Sequence, residues 1–180
     1  MTAIPLRPGD LLPAVRPLPG VDGKSYAVSD FQAEILIVVF SCNHCPYVRA
    51  YEERMIALQS DYANHVRLVA INSNDETNYP DDRFEKMIER AGEQNFNFIY
   101  LRDADQSAAD AFGATHTPQF FVFDRERALR YSGKLDDNWK ESGEVTVRYL
   151  RDAVDAILAG RDVATPETLS VGCTMKWKSA

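Results

Sequence analysis

Six consecutive apolar residues, Ile35-Leu36-Ile37-Val38-Val39-Phe40, stand out from the mixed texture of the chain. A run that is apolar on both faces and rich in β-branched side chains predicts a central strand covered on both sides. Beyond Pro46 the period changes: Val48, Tyr51, Met55, Leu58 and Tyr62 recur at helical spacing, and Arg49, Glu52, Glu53, Arg54 and Asp61 fill the opposite face. That pattern predicts a long amphipathic helix. Residues 66–71 and 96–101 predict two further core strands, separated by a polar loop over 72–80 and a helix from about Asp82 with Phe84, Met87, Ile88 and Ala91 as its buried stripe.

Residues 106–112 read as a short helix closed by Gly113. Residues 118–124 and 128–132 read as a β-hairpin across the polar turn Arg125-Glu126-Arg127. Val147, Leu150, Val154, Ile157 and Leu158 mark a last helix ended by Gly160, followed by a Thr- and Pro-containing tail. The N-terminal stretch 5–23 holds Pro5, Pro8, Pro13, Pro17 and Pro19, which excludes helix, and Asp22-Gly23 supplies a hairpin turn. Ser29-Asp30-Phe31 offers the start of a single helical turn.

Strands that alternate with helices pair in parallel by right-handed crossovers. The expected fold class is therefore α/β, a central mixed sheet flanked by helices, with an N-terminal β-hairpin extension. At 180 residues the chain fits one domain spanning 1–180, with 161–180 as a C-terminal tail packing on it. The tail segment Gly172-Cys173-Thr174-Met175-Lys176-Trp177 is unusually apolar for a chain end.

Charge and hydropathy narrow the partners. With 27 acidic against 20 basic side chains the net charge is −7, which argues against nucleic acid or an anionic membrane surface. No stretch reaches the roughly 18 apolar residues of a membrane span, and residues 1–10 lack a continuous apolar core of a signal peptide. The expectation is a cytoplasmic protein, with a trimmed signal left open. Three cysteines are too few for a secreted disulfide scaffold.

Two of them form Cys42-Asn43-His44-Cys45-Pro46, where the apolar strand hands over to the helix. A helix N-terminus presents unpaired N–H groups and positive partial charge, which favour thiolate. Asn43 and Pro46 both suit a helix start, so its first residue is open between them. A structural zinc site needs about four ligands, and beyond the pair the chain offers only Cys173, His44, His65 and His116 as sulfur or imidazole donors. The motif therefore reads as a thiol–disulfide centre without metal or other cofactor. A metal-binding protein using Cys42, Cys45 and His116 stands as an alternative from another class, against His116 as a surface hydrogen-bonding residue. Cys173 is open between a buried, inert cysteine and an accessory thiol for Cys42 or Cys45.

Leu12-Pro13-Ala14, Asp22-Gly23-Lys24, Ser29-Asp30-Phe31, the CxxC after a core strand and Thr117-Pro118 before the hairpin come in the order of the thioredoxin-like superfamily. Over about residues 10–160 the chain resembles its redoxin branch, which includes peroxiredoxins and TlpA/ResA-type oxidoreductases, and is most similar to the peroxiredoxin-like group with a CxxC. The resemblance implies a thioredoxin-like fold and dithiol–disulfide exchange with a protein or small-molecule disulfide and a thiol reductant or oxidant. It implies catalytic Cys42 and Cys45, with Cys42 attacking and Cys45 resolving, supported by His44, Thr117 and Pro118. Pro118 is implied to be cis, with Thr117 offering backbone groups to an extended substrate. His44 resembles the middle histidine of CPHC enzymes and implies an oxidising couple, against an exposed histidine without effect on the sulfurs. The motif also overlays the peroxiredoxin Thr-x-x-Cys, implying an alternative thiol peroxidase with Cys45 as the peroxidatic residue. Cys42 replaces that motif's threonine, and no arginine falls in its partner position. The thioredoxin buried acid falls on Leu36, and Glu34 and Asp75 are substitutes left unassigned. Asp75 with Asn72 and Asn74 is expected to be a solvated turn. Oligomeric state is not specified by any of these features.

Overall fold

A computed structural model describes residues 4–179. Its centre is the apolar run: β3, Ile35–Phe40, is buried at every position. It is the middle strand of a five-stranded sheet. Two short strands precede it, β1 (Leu18–Pro19) and β2 (Ser25–Tyr26), paired antiparallel about the predicted turn. The first crossover helix, α1 (Pro46–Asp61), leads to β4 (Val66–Asn72), and α2 (Phe84–Glu93) leads to β5 (Ile99–Arg102). These three strands are parallel, as short right-handed crossovers require. Helix α3 (Ser107–Phe112) precedes a two-residue strand β6 (His116–Thr117), then the hairpin β7 (Gln119–Phe123) and β8 (Leu129–Gly133). Strand β7 runs antiparallel to β3, giving the mixed sheet. Helix α4 (Tyr149–Leu158) and a short strand β9 (Cys173–Thr174) complete the order.

Alternation along the strands divides the core. Ile35, Ile37 and Val39 face Tyr51, Met55, Leu58, Met87, Leu150 and Val154 from α1, α2 and α4. Leu36, Val38 and Phe40 face Phe112, Phe121, Phe123 and Leu18, together with Met175 from the tail. Each large apolar side chain so buried stabilises by about 1.5–3 kcal/mol.

Several boundaries differ from the pattern reading. Residues 80–82 form a 3-10 turn and Arg83 is extended, so α2 begins at Phe84 instead of about Asp82. Ile88, expected in the buried stripe, is exposed, and Met87 carries the burial. Val147 lies before α4, since that helix starts at Tyr149. Phe96 and Phe98 precede β5 and pack on each other instead of extending the strand. Gly113, at φ 61°, closes α3 in the left-handed conformation as expected.

The tail runs back over the sheet. Thr168 bonds to Ser132 and its hydroxyl accepts the Lys134 N–H at 3.0 Å. Further on, β9 pairs antiparallel with β6, placing Cys173 opposite Thr117. Among the described residues no helix is long and apolar enough to cross a membrane.

Candidate active site

The thiols sit at the C-terminal end of β3, where parallel strands present their loops. Ser41 continues the ladder with its N–H on Ile71 O at 2.8 Å, and the chain then leaves the sheet. Cys45 is the N-cap of α1, extended at φ −73° and ψ 123°, and Pro46 occupies the first helical position. Proline suits that position because its ring fixes a helical φ and its missing N–H has no intrahelical partner there. The helix start is thereby settled at Pro46, with Cys45 rather than Asn43 as its cap.

All three cysteines are free and meet at one place. Cys42 and Cys45 are 1% and 0% exposed, while Cys173 is half-buried beside them. Cys45 Sγ lies 2.9 Å from Cys173 Sγ and, as a thiol, donates to Thr117 O at 3.2 Å. Cys42 Sγ lies 3.5 Å from Thr117 Oγ1. The neighbouring Cys42 thiol, the Cys173 thiol and the Val48 N–H stabilise the charged form of Cys45 and lower its pKa to about 4, against the opposing cost of burial. Burial pushes the Cys42 thiol well up, reinforced by its bond to Cys45 and by the Asp82 charge. Burial likewise raises Cys173, to about 11. The hydrogen bonds that converge on Cys45 thus stabilise negative charge there, while burial opposes charge on Cys42.

A carboxylate that the sequence did not single out organises the motif from behind. Asp82, fully buried, accepts four hydrogen bonds: Asn43 N–H at 2.7 Å and Asn72 Nδ2 at 3.2 Å on Oδ1, His44 Nδ1 at 2.6 Å and Asn74 Nδ2 at 3.0 Å on Oδ2. These donors hold its pKa down despite the opposing effect of burial, which is the largest single influence. Asn43 is fixed on its other sides by Asp81 O, by Arg49 Nε on its carbonyl and by the Tyr100 hydroxyl on its Oδ1. The motif loop is therefore held by its own backbone and side chains, and Tyr100 is a second residue that pattern alone did not reveal.

The expected solvated turn is buried instead: Asn72, Asn74 and Asp75 are 0%, 0% and 3% exposed. The tail covers them, with Lys176 N–H on Asn74 Oδ1 at 3.0 Å and Asp75 N–H on Lys176 O at 2.8 Å. Glu34 pairs with His65 and Arg125 at the other end of β3, and Leu36 is plain core, so neither serves the thiols. Asp75 caps its own loop through Thr77 N–H and Asn78 Nδ2.

His44 stacks on Tyr79 at a centroid distance of 5.1 Å. Its hydrogen bond to Asp82 raises its pKa, so positive charge persists beside the motif over a wider pH range. Thr117-Pro118 is cis. Thr117 touches both motif sulfurs, through Oγ1 and its carbonyl. His116 is not brought to the thiols as a ligand; its Nδ1 bonds Thr115 Oγ1 at 2.8 Å. Among the described residues, the donor group compact enough for an ion is Cys42, His44 and Asp82, within 4.8 Å of one another. A carboxylate has about four lone-pair sites, and the four Asp82 contacts already use them. The Cys42, Cys45, His116 set is not a compact donor group among the described residues, and in the group found the Asp82 oxygens are occupied by hydrogen bonds.

A five-stranded mixed sheet with a CxxC at the end of its central strand and a cis proline beside it defines a thioredoxin-like redox protein. Residues 7–148 match the Redoxin family, to which the chain belongs. It is 38% identical to the hypothetical protein SMc02350 from Sinorhizobium meliloti 1021, over 99% of this chain and 98% of that one, with a TM-score of 0.91. An uncharacterized conserved protein from Geobacillus kaustophilus is 36% identical, over 100% and 98%, with a TM-score of 0.86. The fold is also that of a putative thiol:disulfide interchange protein DsbE from Chlorobium tepidum, 22% identical over 71% and 84%, with a TM-score of 0.61. No curated protein matches the chain.

Proposed function

We propose that this protein is a thiol–disulfide oxidoreductase that exchanges a Cys42/Cys45 dithiol with protein or small disulfide substrates. The observation that carries the reading is geometric: Cys42 and the N-cap Cys45 lie together at the start of α1, both sulfurs in contact with Thr117 beside cis Pro118. Thiolate is the reactive species in exchange; within the buried pair Cys45 carries the charge and Cys42 is the thiol that closes the intramolecular disulfide. His44, held by Asp82, and the N-terminus of α1 stabilise negative charge at the motif. Thr117, next to Pro118, contacts both sulfurs, with Oγ1 3.5 Å from Cys42 and its carbonyl 3.2 Å from Cys45.

The peroxidase alternative rests on Cys45 holding the peroxidatic position. Among the described residues no guanidinium bonds the sulfur: Cys45 contacts Thr117 and Cys173, and Arg49, the nearest basic residue of α1 in sequence, bonds Asn43 O. Insulin-disulfide reduction and hydrogen-peroxide consumption, measured in wild type, Cys42→Ser and Cys45→Ser, separate the readings. Exchange predicts insulin reduction that disappears in Cys45→Ser, with peroxide consumed no faster than by that variant. Rapid peroxide consumption by wild type and Cys42→Ser alike, without insulin reduction, would establish the peroxidase instead.

A further inference from the structure

The motif sulfurs are covered, and their cover carries a cysteine of its own. With Cys42 and Cys45 1% and 0% exposed, an external disulfide or thiol has no direct line to either. The half-buried Cys173 is the sulfur that reaches outward, and it touches Cys45 at 2.9 Å. A disulfide requires about 2.05 Å, so the two sulfurs need approach by less than roughly one ångström.

The position of Cys173 is built, not incidental. Cys173 pairs with Thr117 in the β6–β9 ladder. Gly172 lies so close to that strand that a Cβ there would fall 2.2 Å from Thr117 O. Beyond the cysteine, Met175 is buried in the core and its N–H bonds Thr115 O at 2.8 Å. Gln106 then holds the chain twice, with Nε2 on Lys176 O at 2.9 Å and Oε1 accepting Lys178 N–H at 2.8 Å. These backbone and side-chain anchors on one short segment fix the tail thiol against Cys45.

We propose that Cys173 is the port through which low-molecular-weight thiols and disulfides exchange electrons with the buried pair, by way of a Cys45–Cys173 disulfide. The inference rests on the redox reading of the motif and names its outside contact. In the oxidised protein, Sγ of Cys173 attacks Cys45; the Cys42–Cys45 bond breaks, the Cys45–Cys173 bond forms, and Cys42 leaves with the proton that Cys173 gives up. An external thiolate RS⁻ then attacks Sγ of Cys173 and expels Cys45 as thiolate. A second RS⁻ attacks the mixed disulfide, releasing RSSR, and Cys173 takes up a proton. The net change reduces one protein disulfide and oxidises two RSH to RSSR, and the same steps run backwards when RSSR is the oxidant.

Exposure selects Cys173 as the sulfur attacked, since it is the accessible member of the Cys45–Cys173 bond.

The test uses glutathione as the probe. Oxidised wild type is mixed with substoichiometric reduced glutathione, quenched with acid, alkylated and mapped by mass spectrometry. The adduct is expected on Cys173, and an adduct on Cys42 or Cys45 overturns the proposal. Cys42→Ser treated with oxidised glutathione is expected to form the Cys45–Cys173 disulfide; its absence overturns the proposal. Reduction of the Cys42–Cys45 disulfide by glutathione should slow about tenfold or more in both Cys173→Ser and Cys173→Ala, and an unchanged rate in either, with circular dichroism showing a native fold, counts against it. The adduct map needs no variant, so a misfolding substitution leaves the test intact. Failure of insulin reduction with the adduct on Cys173 defeats only the assigned activity, whereas insulin reduction with the adduct on Cys42 defeats only the port.

Discussion

Asp82 Oδ2 accepts a hydrogen bond from His44 Nδ1 at 2.6 Å, and this contact ties a loop after β4 to the turn that carries both motif cysteines. Because the carboxylate is ionised and accepts only, Nδ1 must carry the proton. The raised pKa of His44 contributes stability that is fully present below its unfolded value near 6.5 and lost as pH rises through the folded value.

Asp82→Asn keeps the shape but places an amide N–H₂ against donors. It should cost about 2–4 kcal/mol in denaturant unfolding and lower the His44 pKa measured by NMR titration. A His44 pKa unchanged in the variant would remove Asp82 from its assigned role.

Much of this site was legible because its signals are local. The β3 run, the CxxC at its end and Thr117-Pro118 before the hairpin each announce themselves within a few residues. Asp82 did not, because an acidic residue before an apolar helical stripe reads as a helix start, and the intervening 3-10 turn has no period of its own. Asn72, Asn74 and Asp75 have the composition of a solvated loop; their burial depends on Lys176, about a hundred residues away. The two-residue β6–β9 pairing is too short to leave an alternation in the sequence, so the approach of Cys173 to Cys45 across 128 residues appears only in three dimensions.

Gly172 tests the tail as cover. Gly172→Ala brings a methyl against Thr117 O, a backbone atom that cannot rotate away. The expected cost is about 1–3 kcal/mol, with faster alkylation of Cys42 and Cys45 in the reduced protein. Unchanged alkylation kinetics would show that the tail does not limit access.

Stability of the reduced protein should follow the thiols. Cys45, depressed from 9.0 to about 4, contributes stability that is present above the unfolded value and lost as pH falls toward 4. Cys42 and Cys173 are raised, so their contribution is present below the unfolded value and is lost at higher pH. The stability difference between wild type and Cys45→Ala should therefore shrink steadily on acidification from about pH 9 to about pH 4. A difference independent of pH in denaturant titrations would contradict a stabilised Cys45 thiolate.

A stabilised thiolate favours the reduced protein and makes its disulfide more oxidising. Equilibration with glutathione buffers should give a potential between about −270 and −120 mV. A value at or below that of thioredoxin would contradict the stabilisation of the reduced form by His44 and the α1 N-terminus.

Which sulfur carries the charge is measured most directly by a thiolate absorbance titration of the reduced protein. The predicted result is an inflection near pH 4 that persists in Cys42→Ser, where a hydroxyl still donates, and vanishes in Cys45→Ser. Thiolate that forms only near pH 9, or an inflection lost in Cys42→Ser and kept in Cys45→Ser, would contradict it.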